Sequence, residues 1–289
     1  MEWLFLLTET AEDFAGELPR GKFIETKSFP DGESYVRVPT MCAGKDVLII
    51  HRCWPEPNEN IMKLFLIIDA VRSQKPSSLR VFVPYLPYAR MDKAVKPGEA
   101  ISADTICKTL KLLGCDELIT IDVHFIKKGM GTYEWAGLRI RNLSAGSALL
   151  AYLKAKAPNA VFVTPDVGAG YLVAKEKGAR VMRKRRGGYV RGKEAYRRIE
   201  RMEASFDVIG RDVILIDDMI STGSTMIKAV ELLKKAGARR VFCAAAHGLF
   251  LGDSLSRLTS AGADEVIATD SIRSPVAKIK VAKLLEGVL

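Results

Sequence analysis

VILIDDMISTGSTM, residues 213–226, contains an apolar run, two adjacent aspartates, and a cluster of small hydroxyl residues around one glycine. Four consecutive aliphatic residues bounded by polar ones mark a strand buried on both faces, as in a parallel sheet. Beyond Thr225, apolar residues recur at helical spacing over 225–236 and stop before Gly237, a residue suited to ending a helix. Strand, small-residue turn and helix together form the repeating unit of α/β folds.

The same alternation extends in both directions. Strand patterns fall at 47–51, 79–86, 117–124, 160–166, 212–219, 239–247 and 265–270. Helical patterns lie between them at 58–73, 102–113 with Ser102 as the cap, 144–157, 225–236 and 275–287. The two halves repeat the same order, so the expected fold class is α/β, with two similar domains that are each a mainly parallel sheet flanked by helices. A chain of 289 residues is long enough for two domains of modal size. The seam is placed in RIRNLSAG, giving domains 1–142 and 143–289, with the last helical pattern free to pack back on the first domain.

Composition narrows the possible classes. No run of 18 apolar residues lacks a charge, and the N-terminal WLFLL is followed at once by Glu9, Glu12 and Asp13. Neither a membrane span nor a secretory signal is expected. Cys42, Cys53, Cys107, Cys115 and Cys243 are scattered and odd in number, which suits small apolar side chains in a reducing cytosol rather than disulfides or zinc ligands. The expected location is therefore cytoplasmic. The net charge of +10 is concentrated between Arg180 and Arg201, where ten Lys/Arg face only Glu194 and Glu200. One basic segment on an otherwise near-neutral chain calls for a local anionic guest.

Ligands of open α/β sheets collect beyond the carboxyl ends of the strands. Here those ends carry Asp122 and His124, Asp166, the pair Asp217 and Asp218, and His247. A turn of Ser221, Thr222, Gly223, Ser224 and Thr225 at a helix N-terminus offers backbone N–H groups, hydroxyl donors and the positive end of the helix dipole, so it suits a phosphate. Two carboxylates directly before it would repel that phosphate. They suit a vicinal diol or hydrated Mg²⁺, and a sugar phosphate satisfies both demands with one ligand.

Residues 213–226 resemble the phosphoribosyl pyrophosphate-binding motif shared by phosphoribosyltransferases and ribose-phosphate diphosphokinases. Four further segments resemble the diphosphokinases: FPDGE (29–33), PYLPYARMDK with GEAIS (84–102), ITIDVH (119–124), and TPDVG (164–168) leading to KRR at 184–186. A simple transferase needs only one such domain. The resemblance implies two phosphoribosyltransferase-like domains and a Mg²⁺-dependent transfer of diphosphate from ATP to ribose 5-phosphate. It implies ATP contacts at Arg90, Asp92 and His124, with Phe29, Asp31 and Glu33 reaching in from a neighbouring subunit of a homo-oligomer, a dimer or larger. His124 and Asp166 would hold the metal-nucleotide, and Asp217, Asp218, Ser221, Thr222, Gly223, Ser224 and Thr225 the ribose 5-phosphate. Lys184 and Arg186 would be the catalytic cations on a mobile loop hinged at Gly187 and Gly188.

Two departures from the family pattern stand out. Met91 replaces a polar residue after the YAR arginine, and TPDVG continues as Ala169, Gly170, Tyr171 and Leu172 rather than with a second glycine and an arginine. Three other readings remain: a phosphoribosyltransferase, a non-catalytic family member that binds nucleotide as a scaffold, and a nucleic-acid binder using the basic segment. The last lacks a recognised module, so neither nucleic acid nor membrane is an expected partner.

Overall fold

The computed structural model describes residues 3–18, 21–189, 197–203 and 206–288, with backbone alone for 183–189 and 197–203. It divides into two compact units, Met1–Leu143 with Val281–Leu289, and Ser144–Lys280.

The first unit contains β1 (Trp3–Leu7), β2 (Lys22–Phe23), β3 (Glu25–Ser28), β4 (Ser34–Arg37), β5 (Asp46–Ile50), α1 (Pro57–Ser73), β6 (Ser78–Phe82), α2 (Ser102–Leu112), β7 (Glu117–Ile121), β8 (Gly131–Trp135) and β9 (Leu138–Leu143). Seven strands form one sheet in the order β2-β1-β5-β6-β7-β9-β8. All its pairings are parallel except β8 with β9. Val47, Leu48, Ile49 and Ile50 are fully buried, as the uninterrupted aliphatic run requires. Ile61, Leu64, Ile68 and Val71 give α1 its buried face, and Ala103, Ile106, Cys107 and Leu110 do the same for α2. The cap of α2 differs from expectation: Ile101 occupies the cap position and Ser102 is already helical.

The second unit contains α3 (Gly146–Lys156), β10 (Val161–Thr164), β11 (Arg180–Val181), β12 (Arg183–Tyr189), β13 (Arg197–Glu203), β14 (Asp212–Ile220), α4 (Ser224–Lys235), β15 (Arg240–Gly248), α5 (Ser254–Ser260), β16 (Glu265–Thr269) and β17 (Ala277–Ile279). Its sheet is wholly parallel, in the order β11-β10-β14-β15-β16-β17. At the start of β14, Asp212 accepts from the guanidinium forks of Arg239 and Arg240, which hold its carboxyl well below the usual carboxylate range. The helix expected over 275–287 does not form. Ala277–Ile279 pairs in parallel with β16, and only a short 3₁₀ turn, Ala282–Leu285, follows. The alternation of lysine with apolar residues from Ala277 to Ala282 has the period of a strand, and strand pairing wins over helix propensity there.

The two units share one chain order. A core strand (β1 or β10) pairs with a short edge strand (β2 or β11). A two-stranded antiparallel arm follows (β3–β4 or β12–β13), and then three parallel strands joined by two helices. FPDGE and the basic segment thus occupy the same topological position in the two units.

One prediction concerns pH. His51 is fully buried, with Nδ1 2.9 Å from Thr8 Oγ1 and Nε2 2.9 Å from the Asn60 carbonyl. Desolvation of the ring is the main cause that lowers its pKa from 6.5 to about 4, against a smaller opposing contribution from the Asn60 carbonyl. Because the folded value is depressed, the stability contributed by the neutral ring is complete above pH 6.5 and is lost as pH falls from 6.5 to about 4. The loss amounts to about 3 kcal/mol at 1.36 kcal/mol per pKa unit. Denaturant unfolding across that window should slope accordingly, and the slope should flatten in His51→Gln. An unchanged slope in that variant would assign the pH dependence to other groups.

Candidate active site

The deciding segment folds as the sequence pattern indicates up to its last turn. Strand β14 reaches Ile220, so both aspartates lie within it, and neighbouring strand positions face opposite sides of the sheet. Asp217 is half-buried, and Asp218 is almost wholly buried and donates its amide to Asp217 Oδ1 at 2.9 Å. Ser221 and Thr222 turn the chain, and Gly223 caps α4 with φ +73°, a conformation that side chains disfavour. A Cβ at this glycine would stand 3.2 Å from Ser254 Cβ and 3.3 Å from Ile227 Cδ1. Backbone therefore packs directly on α5 while the Thr222 and Ser224 hydroxyls, 3.4 Å apart, remain at the surface. The result is a helix N-terminus with outward-facing donors, the arrangement that receives a phosphate.

The topologically equivalent turn in the first unit, between β5 and α1, is closed to such a guest. The Arg52 guanidinium, 1% exposed, grips both Asp13 carboxylate oxygens, donates to the Thr10 carbonyl at 3.1 Å, and lies 3.8 Å over the Phe14 ring. His51 is occupied by Thr8 and Asn60, and the turn from 51 to 56 contains no glycine. Its Arg52 and His51 side chains are engaged from within, whereas the second turn presents its hydroxyls at the surface.

The other expected residues fall in two groups. In the first unit, FPDGE forms the tip joining β3 and β4. The Phe29 amide donates to the Glu33 carbonyl at 2.7 Å, the Glu33 amide donates to Asp31 Oδ1 at 3.1 Å, and Gly32 has φ +92°. The Phe29 ring is 49% exposed and meets Tyr35 edge-on at 6.1 Å. Exposed Arg90 and half-buried Asp92 follow the end of β6 in a turn held by Met91, whose amide donates to the Tyr88 carbonyl and whose carbonyl accepts from Ala103. Half-buried His124 lies beyond β7, with Nδ1 3.5 Å from Lys127 Nζ.

In the second unit, Asp166 caps a 3₁₀ turn, Val167–Val173, by accepting from the Gly168 amide at 2.9 Å. The family departure at 169–172 has a packing role: Ala169 and Leu172 are buried, and Gly146 lies against the Leu172 carbonyl. Lys184 and Arg186 stand in β12, which pairs antiparallel with β13. Gly187 and Gly188 lie in that strand opposite Arg198 alone, where the register slips between Arg186↔Ile199 and Tyr189↔Arg197. They mark a bulge in a paired arm. Part of the basic segment, residues 190–196, lies outside the described residues.

Among the described residues no group of three or more His, Cys, Asp or Glu forms a metal cage. Mg²⁺ is usually held by one or two carboxylates together with substrate phosphates, so a lone oxygen donor such as Asp166 fits that ion.

Two units built on mainly parallel sheets, one with a hydroxyl-bearing helix N-terminus behind paired carboxylates, define an α/β protein with a strand-end turn suited to an anion. Residues 15–114 match the family described as the N-terminal domain of ribose phosphate pyrophosphokinase, and residues 194–286 match the phosphoribosyl synthetase-associated domain. The ribose-phosphate pyrophosphokinase of Pyrococcus furiosus is 33% identical over 92% of this chain and 92% of its own. That of Methanopyrus kandleri is 34% identical over 94% of this chain and 90% of its own. The crystal structure of phosphoribosylpyrophosphate synthetase from Mycobacterium smegmatis covers 99% of this chain and 97% of its own, with a TM-score of 0.80 at 27% identity. The chain belongs to the ribose-phosphate pyrophosphokinase family and is an enzyme of that class.

Proposed function

We propose that this chain transfers the β,γ-diphosphate of ATP to the C1 hydroxyl of ribose 5-phosphate, giving phosphoribosyl pyrophosphate and AMP with Mg²⁺ bound. The observation that carries the reading is the cradle of 221–225, set behind Asp217 and Asp218 and closed in the equivalent turn of the other unit. The cradle takes the 5-phosphate on its amides and hydroxyls. Asp217 accepts from ribose hydroxyls, and Asp218 orders it through the shared backbone bond. The C1 oxygen forms a bond to the β-phosphorus as the bond between that phosphorus and the α,β-bridging oxygen breaks, and the hydroxyl proton is released. AMP departs with the electron pair, and Lys184 and Arg186 neutralise charge on the transferring and leaving oxygens. When bound, Mg²⁺ would shield the phosphate charge, with Asp166 as its fitting ligand. Separation of the products by anion exchange should show AMP and phosphoribosyl pyrophosphate rising in equal amounts. Accumulation of ADP would overturn the proposal.

In this reading the nucleotide is held by Arg90, Asp92 and His124 and completed by Phe29, Asp31 and Glu33 of a second copy. A half-exposed ring at the tip of a two-stranded arm suits a purine face, and the two carboxylates suit its exocyclic amine. Phe29→Ala should raise the KM for ATP about tenfold, roughly the 1.4 kcal/mol of one lost aromatic contact, with the KM for ribose 5-phosphate unchanged. Activity should partly return when a Phe29→Ala, Glu33→Ala chain is mixed with an Asp217→Ala, Asp218→Ala chain. Mixed oligomers without recovery would mean that each chain completes its own nucleotide site.

A further inference from the structure

The second unit contains a buried polar network that the proposed mechanism does not use. His247, near the end of β15 and 1% exposed, has Nδ1 2.9 Å from Ser271 Oγ. Ser271 Oγ is 3.0 Å from the Ala246 carbonyl, Thr269 Oγ1 is 2.6 Å from the same carbonyl, and the Ser271 amide donates to Thr269 Oγ1 at 3.1 Å. Thr269 Oγ1 is also 2.9 Å from Ser271 Oγ, so both hydroxyls and the imidazole belong to one connected network. The Nδ1 contact with Ser271 holds the ring in position. His247 is paired in register with Met219, and Ala245 with Asp217, so the ring stands on the carboxylate strand's own face, one pair beyond Asp217.

The chain after His247 holds the cradle from behind. The Leu249 and Phe250 amides donate to the Ile220 carbonyl at 2.9 and 3.1 Å, and the Leu251 amide donates to the Ser221 carbonyl at 3.0 Å. A Cβ on Gly248 would come within 2.3 Å of the Phe250 ring and 2.8 Å of Ala268 Cβ, while Phe250 itself has φ +44°. Ser254, at the far end of the turn, closes on Gly223. There is no slack between this turn and the phosphate loop, so a shift at one moves the other.

We infer that His247 is a positioning residue for the ribose-phosphate cradle. It acts through the 248–254 turn and does not touch substrate, and the inference rests on the reading of 221–225 as that cradle. Calorimetric titration of the full-length chain with ribose 5-phosphate tests both claims. His247→Ala should weaken binding by at least about tenfold, as loss of a buried orienting hydrogen bond does at other sites. His247→Asn, which keeps a hydrogen-bonding group at the Nδ1 position, should restore most of the affinity. Ser271→Ala, a smaller change, should weaken binding in the same direction even if His247→Ala fails to fold. In steady-state kinetics the effect should appear in the KM for ribose 5-phosphate, with the KM for ATP unaltered. Unaltered affinity in folded His247→Ala or Ser271→Ala would overturn the inference, as would a loss confined to kcat, the mark of a catalytic residue. A wild-type chain that fails to bind ribose 5-phosphate would overturn the underlying reading.

Discussion

Alanine at Lys184 or Arg186 is expected to lower kcat by roughly 10²–10³, about 3–4 kcal/mol of transition-state stabilisation, with little change in ribose 5-phosphate affinity. Diphosphate transfer needs positioning and charge neutralisation more than covalent help, so a cation that meets the leaving AMP acts mainly in the transition state. Both residues lie in β12, which pairs antiparallel with β13. The bulge at Gly187 and Gly188 increases the local twist of the arm. Arginine in place of Lys184, or lysine in place of Arg186, should recover only part of the rate, because a planar fork and a point charge match phosphate oxygens differently. Steady-state kinetics decide the matter: normal kcat with a raised KM would make the arm a binding element.

The second large effect is expected at Gly223. Valine there would have to adopt φ +73°, at a cost of about 1–2 kcal/mol in backbone strain. Its Cβ would also press on Ser254 Cβ at 3.2 Å and Ile227 Cδ1 at 3.3 Å. The loop would move by some tenths of an ångström, and its amides would lose their common focus. The KM for ribose 5-phosphate should rise about 10- to 100-fold, the scale on which misplaced substrate contacts act. ATP binding should persist, since the nucleotide contacts proposed at Arg90, Asp92 and His124 belong to the other unit. Equal losses for both substrates would indicate general destabilisation instead.

The parallel core was legible because aliphatic runs such as 213–216 and 47–50 admit no other burial. The antiparallel additions were not. Glu25–Ser28 and Ser34–Arg37 are short, polar and half-exposed, so their composition matches that of a loop. Gly131–Trp135 and Leu138–Leu143 are joined by Ala136 and Gly137, both at positive φ. This is the primed two-residue turn of a hairpin, disguised by an alanine where asparagine or aspartate is usual. The site shows the same division. The phosphate turn announces itself by residue type, whereas the closure of the equivalent first-unit turn depends on Asp13 meeting Arg52 across 39 residues. Likewise, the sequence marks His247 as one more strand-end polar residue, and its bond to Ser271 exists only after β15 and β16 pair.

The central claim is transfer of the intact terminal diphosphate, and one labelling experiment tests it most directly. The chain is incubated with ribose 5-phosphate, Mg²⁺ and ATP carrying phosphorus-32 at the β position, and the products are separated. All transferred label should appear in phosphoribosyl pyrophosphate, with AMP unlabelled. Label retained in ADP, or absent from the sugar product, would contradict the account.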